Sequence, residues 1–399
     1  MTADQSTTFR DPMKRGAPII PRTGWMFAPY NRWTFQNVRE MTPTAKIWRG
    51  PGPVAQLPER KQDLDGIEFD FAGRRRTVGD FLKGSFTSGF LVLSQGEIVM
   101  ERYMNGFAPH GQHLAMSVSK SVTATVCGIL VHRGLIDPAA PVTRYLPELD
   151  ATAYRGATVQ HVLDMMSGVH FDETYDSPDS DIQKLDEVSG WKPLSHPDGP
   201  QTIWQFILTL TKQDQPHGQV FNYRSIETDV LGLIMERASG RRLAELISEE
   251  LWVPMGAGED AYITVDRAGT ALADGGFNAA LRDFGRFALL HLRNGKANGR
   301  QIVPRDWIED TRFGNHGGAL DAEIYQLPNG TYRNQFWIED ATKGTYMCLG
   351  IHGQHIYLDP AADFAVVKLS TWPEALSMDY FKESLAAIHA IRNFCTGCR

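Results

Sequence analysis

HLAMSVSKSVTATVCGILVHRG, residues 113–134, contains one charged residue, Lys120, before Arg133. Beyond Lys120 come Val122, Ala124, Val126, Ile129, Leu130 and Val131, separated by little but Ser, Thr and Cys. A helix apolar on nearly every side is a buried helix, so this one carries its N-terminal lysine inward. Ser117 and Lys120, spaced i and i+3, then share one face, with Cβ atoms about 5–6 Å apart. At a helix start the backbone N–H groups lack intrahelical partners, and the positive end of the macrodipole favours an anion. Burial disfavours the ammonium form of lysine, so the Lys120 pKa is expected to fall toward that of a useful base. The competing reading makes Ser117 an N-cap and sends Lys120 to solvent. Ser189-Gly190-Trp191-Lys192 repeats the Ser-x-x-Lys form, but its glycine and the following Pro193 leave no helix to hold that pair on one face.

Upstream, GFLVLSQGEIVMERYM (residues 89–104) gives two β-rich runs about Gln95-Gly96, a hairpin. Downstream, Gly134 closes the helix, and TVQHVLDMMSG and IETDVLGLIMERASG show helical spacing ended by glycine. Residues 150–200, rich in Asp, Ser and Pro, read as a long loop of the kind that lines sites. GQHIYLDPAADFAVVKLSTW returns to strands about a Pro-Ala-Ala-Asp turn, and the amphipathic SMDYFKESLAAIHAIRNF comes after it. The spacing predicts an α+β fold: a sheet assembled from distant segments, with a helical insertion over it. The expected division is an N-terminal arm (1–60) anchored by Trp25, Phe27, Tyr30 and Trp33, an α/β unit (61–134 with 266–399) and a helical unit (135–265).

The 399 residues are 42% hydrophobic and 22% charged, with a net charge of −7 and no basic block, which speaks against nucleic acid or an anionic membrane as partner. No eighteen-residue apolar run exists for a membrane span, and the opening residues lack the apolar core of a signal peptide, so a cytoplasmic protein is expected. Cys127, Cys348, Cys395 and Cys398 form no convincing disulfide framework, and the terminal CxxC has no partner ligands in view. No metal-ligand motif such as HExxH occurs, and neither metal nor cofactor is expected. A serine–lysine pair needs a third group to relay its proton. Tyr103, Tyr223 and Tyr332 each stand in a Tyr-x-Asn/Ser form, and Tyr223, in a loop just before a helix, is best placed to face a cleft.

These residues resemble the serine β-lactamase, penicillin-binding protein and family VIII esterase superfamily, and within it most of all the 6-aminohexanoate-dimer (nylon-oligomer) hydrolase subgroup. The similarity runs from YNRWTF to VVKLSTWP and includes GFAPHGQHLAMSVSKS, LIDPAAPVTRYLPEL, FNYRSIETDVLG and GIHGQHIYLDP, in order. The resemblance implies a β-lactamase-like antiparallel sheet flanked by helices, with Ser117 as nucleophile, Lys120 as general base and Tyr223 as the second-motif tyrosine. The third motif falls at Cys348-Leu349-Gly350, which puts the backbone N–H of Ile351 with that of Ser117 in the oxyanion hole; His352-Gly353 is the other placement. Tyr175 matches the tyrosine of the loop that closes over substrate, and Asp186 the carboxylate that pairs with the substrate's amine. Where the subgroup often has ANGG, this chain reads ADGG, so Asp274 adds a negative charge beside the acyl site.

The expected activity is therefore hydrolysis of a small-molecule amide or ester through an acyl-serine, by a homodimer. Esters are easier, because an alkoxide leaves with little protonation, whereas an amide nitrogen needs an acid, for which Tyr175 is the candidate. A β-lactamase or cell-wall peptidase would need export and usually a cationic third motif, which Cys348 does not supply. A non-catalytic binding protein on the same scaffold would not be expected to keep serine, lysine and tyrosine together.

Overall fold

The computed structural model of the chain describes residues 20–397. Cys398, and with it the terminal CxxC, lies outside them, as do the first nineteen residues of the arm.

The main sheet has eight antiparallel strands: β1 (Thr87–Ser94), β2 (Glu97–Tyr103), β3 (Gly318–Ala319), β4 (Thr331–Arg333), β5 (Phe336–Asp340), β6 (Thr345–Gly350), β7 (Gln354–Asp359) and β8 (Phe364–Ser370). Their order across the sheet is β3-β4-β5-β6-β7-β8-β1-β2. The N-terminal hairpin thus adds to the C-terminal strands through β8, with Val366 opposite Val92. Side chains alternate across a strand, and here both faces are covered. Leu91, Leu93, Ala365 and Val367 enter one core cluster, while Phe90, Val92, Phe364 and Val366 enter the other. Five helices frame the core and the site: α1 (Val118–His132), α2 (Asp181–Val188), α3 (Ile226–Ser239), α4 (Leu281–Leu292) and α5 (Met378–Thr396). Helix α4 lies against β1, β7 and β8. Helix α5 supplies Phe381, Leu385, Ile388 and Ile391 to the second cluster. Helix α1 packs on α3 and on β6, wedged between the sheet and the helical layer. Every residue from Val118 to Leu130 is buried, as the apolar run requires.

Two local readings change. The loop expected over residues 150–200 holds the helix read from TVQHVLDMMSG, Val159–Leu163, but also the unexpected two-turn α2. Ile182, Leu185 and Val188 recur every third position and are buried, but the Asp, Gln, Lys and Glu between them mask the period in composition. The segment expected to be helical ends in a strand, Ala261–Thr264, which joins Thr44–Ile47, Phe277–Ala279 and His113–Leu114 in a second sheet. The described part of the arm is therefore structural: Trp25, Phe35, Val38 and Ile47 are core residues. His355 lies on β7, within the expected strand run, and His352 sits just before it in a turn at φ 59°.

Candidate active site

The chain reaches the site from the short strand His113–Leu114, turns through Met116 at φ 48°, and enters α1 at Ser117. A positive φ is costly for methionine and persists only where surrounding structure enforces it. Ser117 makes no side-chain cap bond, contrary to the N-cap reading. The structural duty falls to Ser119, whose hydroxyl donates to the Met116 carbonyl (2.6 Å) and accepts from Phe277 N–H (3.1 Å).

Lys120 is 1% exposed. Its Nζ donates to Ser117 Oγ (3.0 Å), Ser225 Oγ (3.1 Å) and the Asp274 carbonyl (2.9 Å), with Asp274 Oδ2 at 3.3 Å. Burial alone would lower its pKa, but the acidic groups of Tyr223, Asp274, Glu173 and Asp229 together outweigh burial and raise it. The expected depression is therefore reversed, because the sequence does not show that acids converge on the amine from distant segments. Lys120 rests as an ammonium ion.

Tyr223 presents its ring 5.2 Å from Lys120 Nζ and stacks on Trp337 at 5.3 Å. Its phenol faces both Ser117 and Lys120; burial raises its pKa, and Lys120 holds it down in part. The other two tyrosines are engaged elsewhere. Tyr103 donates to Glu101 (2.7 Å), and Tyr332 packs edge-on behind Tyr223.

Two residues beyond the sequence expectations extend the cluster. Ser225, two positions after Tyr223 and at the start of α3, accepts from Lys120 and donates to Glu173 Oε1 (2.6 Å). Glu173 Oε2 accepts the Ser225 backbone N–H (2.8 Å), so this carboxylate caps α3 from outside. Tyr175 OH donates to the same Oε1 (2.7 Å). Burial foremost raises the Glu173 pKa, against Lys120 and its hydrogen bonds. The Tyr-x-Ser form foreshadowed Ser225, but nothing local marks Glu173.

Behind Lys120, Asp229 Oδ1 accepts the backbone N–H groups of Ala273 (2.8 Å) and Asp274 (3.3 Å). Burial foremost, with the Asp274 charge adding to it, holds Asp229 well above the usual carboxylate range. Of this acidic pair, Asp274 is the member that faces Lys120. The turn that delivers it needs Gly276, where a Cβ would meet Thr264 Oγ1 at 2.3 Å.

Ser117, Tyr175, Asp186, Ser225, Asp274 and Ile351 line one cleft of roughly 540 Å³, open water included. Met26, Phe27, Trp191 and Leu272 give it apolar walls. Asp186 lies on the buried face of α2 and pairs with Lys192 at 2.8 Å. Burial outweighs that lysine and pushes the Asp186 pKa up to about 6. At the other wall, Gly350 ends β6 against the segment before Ser117, where a Cβ would meet the Ala115 carbonyl at 2.7 Å and Met116 Cβ at 3.1 Å. Gly353 instead faces the Trp372 ring. The end of β6 at Gly350 therefore packs on the segment that leads into Ser117, and Ile351 follows it into the cleft lining.

A serine and lysine on one buried helix face, a tyrosine beside them and an antiparallel strand closing the cleft define a serine hydrolase of the β-lactamase type. The chain belongs to the Beta-lactamase family, whose model matches residues 74–390. It is 39% identical over 362 residues to the 6-aminohexanoate-dimer hydrolase of Paenarthrobacter ureafaciens, covering 90% of this chain and 89% of that one. A solved Bacillus anthracis structure provisionally assigned the same name superposes with a TM-score of 0.85 at 30% identity, over 94% of this chain and 97% of that one. Esterase EstB of Burkholderia gladioli is 28% identical over 169 residues, 38% of each chain. The chain is a serine hydrolase acting on amides or esters. Among the described residues, no helix is long and apolar enough to cross a membrane, and no group of three or more His, Cys, Asp or Glu is arranged to hold a metal ion.

Proposed function

We propose that Ser117 is the nucleophile that forms the acyl-enzyme, with Lys120 and Tyr223 moving its proton. The observation that carries this reading is the 3.0 Å contact of a fully buried lysine amine with a cleft-facing serine that caps nothing. The Ser117 Oγ attacks the carbonyl carbon, and the backbone N–H groups of Ser117 and Ile351 receive the oxyanion. Removing one such donor typically costs about 10²–10³ in rate. Tyr175 stands over the cleft as the acid for a departing amine, and water then hydrolyses the ester with Lys120 and Tyr223 as base.

The substrate is a small linear amide or ester whose acyl part is neutral or cationic. Supporting this, the cleft is walled by apolar side chains and two carboxylates, and no lysine or arginine is among its described lining residues. Asp186 pairs with a substrate amine by exchanging it for Lys192. Asp274 disfavours a carboxylate near the acyl carbon. The 6-aminohexanoate linear dimer, named for the relative at 39% identity, fits an amine at one end. The enzyme is read as a cytoplasmic homodimer, with an α/β unit (61–134 and 266–399), a helical unit (135–265) and the arm 1–60.

Purified protein and Ser117→Ala are incubated with p-nitrophenyl acetate and with the linear dimer. Turnover of both by the wild type, and of neither by the variant, is expected. Ester cleavage alone leaves a carboxylesterase. Cleavage that survives in the variant removes Ser117 from the mechanism.

A further inference from the structure

Lys120 rests as an ammonium ion, so before it can take the Ser117 proton it must lose one of its own. Asp274 Oδ2, at 3.3 Å, is one acceptor. The other is reached through a continuous chain: Lys120 Nζ to Ser225 Oγ (3.1 Å), Ser225 Oγ to Glu173 Oε1 (2.6 Å), and Tyr175 OH on that same oxygen (2.7 Å). The donors from Lys120 through Ser225 point the way a proton leaving Lys120 would travel, and the chain ends at the group proposed to protonate the departing nitrogen. Asp274 leads to no such group.

We propose that Glu173 carries the proton between Lys120 and Tyr175, so that one transfer arms both the base and the acid. This rests on the reading of Tyr175 as the acid for an amine leaving group. In the resting enzyme Lys120 is an ammonium ion and Glu173 a carboxylate. Lys120 passes a proton to Ser225 Oγ as Ser225 passes its own to Glu173, leaving a neutral amine and a carboxylic acid. The raised Glu173 pKa brings that state within reach. Ser117 Oγ then bonds the carbonyl carbon, its proton goes to Lys120 by way of Tyr223, and the carbonyl π pair moves to the oxyanion. On collapse the C–N bond breaks with its electron pair on nitrogen. The nitrogen takes the Tyr175 proton, and Tyr175 recovers one from Glu173. The final state is acyl-serine, free amine, ammonium Lys120 and carboxylate Glu173, so one proton has moved from Ser117 to nitrogen. Glu173 touches no substrate; it is a positioning residue for protons that act through its two neighbours.

A group that only braces Ser225 or the loop would slow all substrates alike. A proton carrier is needed in proportion to the basicity of the leaving group. The test compares kcat/KM, which reports acylation, for three substrates with a common 6-aminohexanoyl group: a p-nitrophenyl ester, a p-nitroanilide and the alkyl amide of the linear dimer. For Glu173→Gln the alkyl amide is expected to lose about 10²–10³, within the range of general acid–base catalysis, and the ester, for which Asp274 Oδ2 can take the Lys120 proton and no acid is required at the leaving group, less than about tenfold, with the anilide between. Ser225→Ala, which cuts the chain on the lysine side, is expected to show the same ordering and guards against a Glu173 variant that misfolds. Equal losses across the three substrates in both variants, with an amide-active wild type, overturn the relay while leaving Ser117 and Tyr175 in place. A wild type that cleaves the ester but neither amide overturns the amide reading and the relay with it.

Discussion

Lys368, at the centre of β8, is 0% exposed. It faces the second core cluster, with Nζ 5.1 Å from the Trp372 ring and 5.8 Å from that of Phe81. Its hydrogen bond to the Ser85 carbonyl is a long 3.5 Å. Burial dominates and drops its pKa from 10.5 to about 7; Glu383 opposes this only weakly, because that carboxylate is already held by Arg76 at 2.7 Å. The unfolded chain binds this proton more tightly, so stability rises with pH wherever the two states differ. The cost is fully present below pH 7, shrinks between about 7 and 10.5, and is gone above. At about 1.36 kcal/mol per pH unit, it amounts to about 4 kcal/mol near neutrality. Lys368→Met keeps the length and apolar stem, fills the same space and removes the amine. With the carbonyl contact and ring contacts deducted, a net gain of about 2–4 kcal/mol near neutral pH is expected, read from urea midpoints. The advantage should fade as the pH approaches that of an ordinary lysine's titration. A variant no more stable than wild type at neutral pH, or one whose difference from wild type stays constant as the solution is made alkaline, refutes the reasoning.

Asp274→Asn removes a carboxylate that holds Lys120 charged, so the amine becomes free at lower pH and the acid limb of kcat/KM for an ester moves down. Ionisation of Asp229 in its place keeps part of the effect, and Asp274→Asn with Asp229→Asn moves the limb further; an unmoved limb in both counts against the electrostatic account. Gly350→Ala drives a methyl into the Ala115 carbonyl and Met116, which costs about 1–3 kcal/mol as overpacking and lowers kcat/KM at least about tenfold while circular dichroism stays native. His316 lies between Asp164 (2.7 Å) and Asp310 (2.9 Å), tying the helix Val159–Leu163 to the helix Arg305–Phe313. Burial opposes its charge, but the two carboxylates push the pKa up to about 9. That stabilisation is complete below about pH 6.5 and lost as pH rises through 9, so His316→Gln destabilises in mildly acidic solution and much less in alkaline solution, by thermal or urea denaturation.

The sequence alone carried the features that depend on local order. Helix α1 follows from an uninterrupted apolar run, the β1–β2 and β7–β8 hairpins from strand-length runs about a turn, and Ser117 and Lys120 share a face because helical geometry puts i and i+3 together. Tyr223 is singled out by its Tyr-x-Ser form just ahead of a helix, family resemblance adds Tyr175, Asp186 and Ile351, and the structure gathers them with Ser117 around one cleft and its base. The charge state of Lys120 belongs to the tertiary structure. The groups that set it lie at 173, 223, 229 and 274, and an electrostatic field depends on separation in space, which spacing along the chain does not record. The same reason hides Glu173, whose partners are Tyr175 two residues away and Ser225 fifty-two residues away. It also explains Asp186, read as a loop carboxylate that pairs with the substrate's amine but found on a helix with Lys192 against it. A period of 3.6 is written in the chain, whereas the convergence of four acids on one buried amine exists only once the chain has folded.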